Sequence, residues 1–151
     1  MPRDLPNWTP RHQGVTGSGT RQRSVGSRVF VSATSNHDVI QRLGLTEHQL
    51  DRVKVLEVVG ELDLWTAPTL CERIEQCHEE PLLVDLTQMQ FCDSTGLRAL
   101  HGAAQEARIL RARMVMLRPE HPGAARAFDL AGAAEFLPLA ADLESALAHL
   151  G

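Results

Sequence analysis

The sequence predicts an α/β layered domain in which most neighbouring strands run parallel. Three observations carry that expectation. Short β-branched or apolar runs recur at 53–62, 82–86, 114–117 and 136–139. Stretches with helical apolar spacing lie between and after them. Helix start and stop signals fall at the junctions. Strands alternating with helices in this way build a sheet with sequential strands side by side and helices on its faces.

Each element has its own warrant. Residues 53–62 are β-branched and apolar, broken by Lys54, Glu57, Gly60 and Glu61, and read as a largely buried strand. Thr66 is placed to cap a helix, with Pro68 in a first turn where its missing N–H costs nothing. Leu70, Ile74 and Cys77 follow at helical spacing, and the helix should end before Pro81. Residues 82–86 form a short buried strand, followed by a loop. Leu97, Leu100, Ala104 and Ala107 mark one face of a second helix, and 114–117 a strand closed by Pro119. Residues 123–131 predict a third helix with Phe128 and Leu130 turned inward, stopped by Gly132. Residues 136–139 predict an edge strand, since Pro138 cannot donate to a central ladder. Asp142 caps a last helix through Leu143, Leu147 and Leu150.

The first third of the chain reads differently. Residues 1–28 are rich in Pro, Gly, Ser, Thr and Arg, and bury too little apolar surface to offset ordering, so a disordered leader is expected. The leader carries five Arg and one Asp. Residues 29–52 are uncertain: 29–33 has strand character and 38–50 has room for a short helical stretch. The ordered domain is expected over 53–151.

Composition excludes several classes. With 151 residues, 43% of them hydrophobic and 23% charged, the chain can bury a core without disulfides or metal. No apolar run approaches the ~20 residues that span a bilayer, and residues 1–28 lack the apolar segment of a secretory signal. The net charge of −4 leaves no general basic field for nucleic acid or an anionic membrane. Neither is expected as a partner. The charge is uneven, however: residues 1–50 carry six Arg against three acids, and 51–151 carry nine basic against sixteen acidic residues. Cys71, Cys77 and Cys92 are odd in number and lack redox or zinc spacing, which points to buried thiols in a reducing cytoplasm. The seven His show no i, i+4 pair. No metal and no cofactor is expected.

The stretch that carries chemistry is 84–97, where a buried strand gives way to a helix beginning at Ser94, between Asp93 and Thr95-Gly96. In an α/β sheet, partners and ligands are met beyond the carboxyl ends of the strands. Ser94 has two readings there. It can cap the helix, as can Asp93 and Thr95, or it can be modified. Gly96 does not fit capping, because glycine in a first turn weakens a helix by about 1 kcal/mol. Its presence implies a close approach to the backbone. A phosphate on Ser94 would sit at the positive end of the helix, a gain of ~0.3–1 kcal/mol. At a protein interface it would add a charge of about −1.5 to −2. One such unit beside a like charge ~4 Å away costs ~4 kcal/mol at an effective dielectric near 20. Interface repulsion therefore dominates. A catalytic reading is poor: no Gly-x-Ser-x-Gly elbow surrounds Ser94, position 97 is Leu rather than Lys, and His101 lies two turns along. No catalytic residue is assigned. Gly14, Gly17 and Gly19 lack the strand and the Lys-Ser/Thr of a phosphate loop.

Residues 58–63 (Val-Val-Gly-Glu-Leu-Asp), 66–70 (Thr-Ala-Pro-Thr-Leu), 83–86 (Leu-Val-Asp-Leu), 91–97 (Phe-Cys-Asp-Ser-Thr-Gly-Leu) and 126–132 resemble the STAS domain of bacterial anti-sigma factor antagonists. The likeness covers roughly residues 53–151. It implies a single STAS-like layered domain with a mixed, mostly parallel sheet, acting as a binding protein and not as an enzyme. The implied partners are an anti-sigma factor that is itself a Ser/Thr kinase, and a Ser/Thr phosphatase that reverses the modification. The unphosphorylated form sequesters the kinase and frees the sigma factor. By position, Ser94 is the implied phosphoacceptor. Glu61, Asp63, Asp93, Thr95 and Gly96 are the implied partner-binding residues, with Asp63 beside Ser94 and Asp93 its acidic neighbour. Strand-end solvation is the plainer account of Glu61 and Asp63. One departure stands out: residues 46–52 lack the hairpin signal that normally precedes the Gly-Glu-Leu-Asp strand. Either 29–33 is the first strand with an insertion behind it, or the first strand is degenerate. Two other functions compete: a STAS scaffold subunit of a stress-signalling or transporter-associated complex, and a hydrolase using Ser94.

Overall fold

A computed structural model describes residues 28–30 and 42–151. Among these residues, six strands form one sheet in the order β1-β2-β3-β4-β5-β6, the order of the sequence. They are β1 (Arg28–Phe30), β2 (Leu43–Leu50), β3 (Val53–Leu62), β4 (Leu82–Cys92), β5 (Met114–Leu117) and β6 (Leu139–Ala140). The helices are α1 (Ala67–Glu75), α2 (Ser94–Ile109), α3 (Pro122–Ala131) and α4 (Leu143–Leu150). β1, β2 and β3 pair antiparallel, and β3 to β6 pair parallel, so the sheet is mixed and mostly parallel as predicted.

Successive strand residues serve opposite faces. Leu56, Val84 and Met116 enter the larger core with Leu70 and Ile74 of α1, Leu97 and Leu100 of α2, and Phe128 of α3. Their neighbours Val55, Leu83 and Val115 enter a smaller core capped by Ala146 and Leu150 of α4. Three helices thus cover one face and one helix part of the other. Gly132 ends α3 in the left-handed conformation (φ 64°), and Asp142 accepts from Ser145 N–H at 2.7 Å to start α4, both as predicted.

Several expectations are corrected. Of 38–50, Arg42 is a turn and Leu43–Leu50 is strand rather than helix, pairing with β3 along its whole length, from Leu43 opposite Gly60 to Leu50 opposite Val53. The missing hairpin is therefore present, closed by Asp51 and Arg52. Its turn was hard to read because it uses Asp51 at φ 54° where Asn-Gly or Asp-Gly is usual. The sheet consequently includes strands on the amino side of residue 53. Arg28, expected to end the leader, lies in β1, as do Val29 and Phe30 of the expected 29–33 strand. Residues 1–27, 31–33 and 38–41 lie outside the described residues.

The loop expected after Leu86 is also strand, continuing to Cys92. Pairing with β3 shifts between Glu57 and Val59 and again between Gly60 and Glu61, and at each shift β4 holds one residue more than β3. Each extra residue reverses which face the following side chains meet. Leu82, Val84 and Leu86, then Met89, then Cys92 consequently all enter the same core. The predicted edge strand keeps only Leu139 and shifts to Leu139–Ala140, because Phe136 and Leu137 N–H bond back to the Ala133 carbonyl and Pro138 offers only its carbonyl, to Met116 N–H at 2.8 Å. Leu130, expected inward, is 77% exposed while Phe128 alone anchors that turn. Two residues apart on a helix, they cannot share one face.

Two glycines give opposite expectations. Gly60 has φ 108°, and a Cβ there would collide with the Arg42 carbonyl oxygen at the start of the hairpin. Gly102 is exposed in the middle of α2 with open space where a Cβ would go. Gly60→Ala should lower the unfolding free energy by more than about 1 kcal/mol, and Gly102→Ala should raise it by about 0.5–1 kcal/mol. Urea midpoints check both, and a loss of stability in Gly102→Ala would contradict the open position.

Candidate functional site

Residues Glu61 to Gly96 meet where β3 and β4 end side by side. Glu61 pairs with Phe91 and Leu62 with Cys92. Beyond that point each strand turns into a helix, β3 through residues 63–66 into α1 and β4 through Asp93 into α2. The two exits are tied together by main chain: Asp93 N–H donates to the Leu62 carbonyl at 3.2 Å. Gly96 lies directly behind this bond. A Cβ on it would stand 2.7 Å from the Leu62 carbonyl oxygen and 2.9 Å from Cys92 Sγ. The close approach implied by Gly96 is real, and the approaching group is the end of β3.

Asp93, not Ser94, caps α2. Its carboxylate accepts from Gly96 N–H at 2.8 Å, with Asp93 itself extended (φ −94°, ψ −177°). Ser94 is the first helical residue, exposed, and its hydroxyl makes no hydrogen bond among the described residues. The capping alternative thereby passes to Asp93 and leaves the Ser94 hydroxyl uncommitted. Thr95 is half-buried beside it. Cys92 lies behind the helix start, where burial and then the Asp93 charge push its thiol up to about 12. It stays protonated at neutral pH and is no nucleophile.

The Asp63 carboxylate organises the turn that follows β3. One carboxylate oxygen accepts from Trp65 N–H at 2.9 Å and Thr66 N–H at 3.1 Å. The other faces Arg42 at 3.7 Å. Thr66 is buried, and its side chain does not cap α1. It donates to the Glu61 carbonyl at 2.8 Å and accepts from Asp63 N–H at 3.0 Å. The Asp63–Thr66 turn is thus held by its own polar groups, and the strand-end acid serves structure first. Glu61 is half-buried within β3, its N–H bonded to the Arg42 carbonyl at 2.6 Å.

The turn also displays apolar side chains that are not among the expected site residues. Leu64 and Trp65 are 61% and 67% exposed, and Phe91, on the strand beside Glu61, is 47% exposed. Two consecutive large apolar residues in a strand-to-helix connection were the available signal. Elsewhere, His101 leaves the site and meets the Phe136 ring edge-on at 5.1 Å. No group of three or more metal-ligating side chains occurs among the described residues. No helix among them is long and apolar enough to cross a membrane.

The site is thus an uncommitted hydroxyl at a helix start of an α/β domain, with exposed Leu64, Trp65 and Phe91 on the neighbouring strand end and turn. The chain belongs to the STAS domain family, whose pattern matches residues 45–146. It is similar to the anti-sigma-B factor antagonist of Listeria monocytogenes, 35% identical over 75 residues, which are 48% of this chain. The chain spans 65% of the length of that relative. Among solved structures, it is similar to an anti-sigma factor antagonist from Mycobacterium paratuberculosis. That likeness has a TM-score of 0.62 at 27% identity, covering 72% of this chain and 93% of the other. The Bacillus cell fate determinant SpoIIAA in its phosphorylated form shares the fold, with a TM-score of 0.51 at 20% identity over 71% of this chain and 99% of the other.

Gly96→Ala should cost about 1–3 kcal/mol, since neither the Leu62 carbonyl nor the sheet behind it can retreat cheaply. Asp93→Ala should cost about 1 kcal/mol through the lost cap. Ser94→Ala should stay within about 0.5 kcal/mol of the parent. Urea unfolding of the three variants tests the division of labour, and a Ser94→Ala loss matching that of Asp93→Ala would refute it.

Proposed function

We propose that the protein is an anti-sigma factor antagonist switched by phosphorylation at Ser94. Its unmodified form binds an anti-sigma factor that is a Ser/Thr kinase and so releases the sigma factor. The γ-phosphoryl group of ATP passes to Ser94 Oγ, the hydroxyl proton leaves to a base of the kinase, and ADP departs. A Ser/Thr phosphatase then hydrolyses the phosphoester, water taking the phosphoryl group away as inorganic phosphate and a proton returning to Ser94 Oγ. The cycle belongs to the cytoplasm.

The observation that carries this reading is the uncommitted, exposed Ser94 hydroxyl at a helix start whose capping is already performed by Asp93. Phosphate can be added there without removing a bond that the fold uses. Leu64, Trp65 and Phe91 supply the apolar contact area, since a cluster of exposed large hydrophobic side chains marks an association surface. Glu61, Asp63, Asp93 and Thr95 form its polar border, and Gly96 shapes the helix entry. A phosphate in such an interface brings a repulsion of ~4 kcal/mol per close like charge, against a dipole gain of ~0.3–1 kcal/mol. The names of the Listeria and Mycobacterium relatives support the same reading.

The test is incubation with ATP and candidate anti-sigma kinases, followed by intact-mass measurement. One added phosphate, absent in Ser94→Ala, is expected. Ser94→Asp should weaken kinase binding at least tenfold, and unchanged affinity would sink the interface argument. A stable complex without phosphorylation would instead favour a scaffold role.

A further inference from the structure

Arg98 stands one helical turn after Ser94 on α2, and both residues are exposed. Side chains four apart on a helix are neighbours, with Cβ atoms roughly 5–6 Å apart. Two of the carboxylates at this end already have donors: Asp93 holds Gly96 N–H, and Asp63 holds its own turn and Arg42. Arg98 makes no ion pair or hydrogen bond among the described residues, whereas Arg42, Lys54, Arg73 and Arg118 each face an acid. The binding end of the molecule therefore holds an uncommitted hydroxyl and an uncommitted guanidinium on one helix face.

We propose that Arg98 captures the phosphate on Ser94 within the same helix, so that modification adds an anion to the binding face and withdraws a cation from it. The proposal rests on the reading of Ser94 as phosphoacceptor. In the unmodified protein the Arg98 fork is free to meet an acidic group of a partner. After modification it is engaged by the phosphate three-oxygen face, which a planar guanidinium matches through paired N–H donors. The order is the favourable one, with the anion on the amino side of the cation at i, i+4. Glu61, Asp63 and Asp93 border the same end and oppose a second negative charge on the phosphate. Arg98 offsets them. Its part is positioning and charge compensation rather than contact with a reacting atom of the unmodified chain.

The experiment uses the full chain with phosphoserine installed at position 94 during translation, so that no kinase is needed. Phosphorus NMR titration then reads the second phosphate pKa, ordinarily about 6. In the parent it should lie about 0.3 units below its value in Arg98→Gln, with Arg98→Lys between. The Arg98 Nε–H resonance of the parent should also shift on phosphorylation. Equal pKa values in parent and Arg98→Gln, or an unmoved Arg98 resonance, would overturn the capture. Failure of every kinase to modify Ser94 would count against the antagonist reading and leave these two measurements intact.

Discussion

The Leu62 carbonyl is the point on which the binding end depends. It accepts from Asp93 N–H and lies against Gly96, so it fixes the separation of β3 from the start of α2. Asp93 held by its backbone can turn its carboxylate onto Gly96 N–H, and that cap relieves Ser94 of any structural duty. Only glycine at 96 permits this geometry. The glycine, the acid and the serine of the motif are therefore three parts of one arrangement, and only the serine is spare.

β4 delivers Asp93 to that position by irregular means. An evenly alternating strand would turn Met89 or Cys92 away from the core. The two extra residues keep both inside, so the strand reaches Asp93 with its inner face still buried. The exposed Phe91 is the counterpart of this inward turn of Cys92. Core packing and surface display at the site are consequences of the same register shifts.

The parts of the fold that were legible in the sequence are those with a clean period. Leu97, Leu100, Ala104 and Ala107 announced α2, and Val53–Leu62 announced β3, because burial on a regular element leaves a regular trace. β2 was illegible because Thr46, Glu47 and His48 occupy its middle, where Glu47 meets Arg73 and His48 meets Glu57 across the sheet. The late part of β4 was illegible because bulges erase alternation. At the site, Ser94, Asp93 and Gly96 could be picked out by residue type alone. Their separate tasks could not, since a cap and a spare hydroxyl look alike until the backbone is placed. Leu64 and Trp65 left a signal in their pairing within a strand-to-helix connection, but their exposure depends on how the Asp63 turn is held.

The single helix on the second face has a consequence for how the molecule opens. α4 has eight residues, too few to persist alone, and it is retained by Leu143, Ala146, Leu147 and Leu150 and by Arg113 reaching the Leu150 carbonyl at 3.0 Å. It packs on β5, β4 and β6, sharing a core with Leu83, Val115, Leu117 and Ala140, away from Asp93 and Ser94. α4 thus depends on the smaller core alone, whereas the three-helix face shares the larger core with the sheet, and local opening is favoured where fewer contacts must break. Opening of α4 would expose the smaller core and leave in place the Asp93 cap at the carboxyl end of β4.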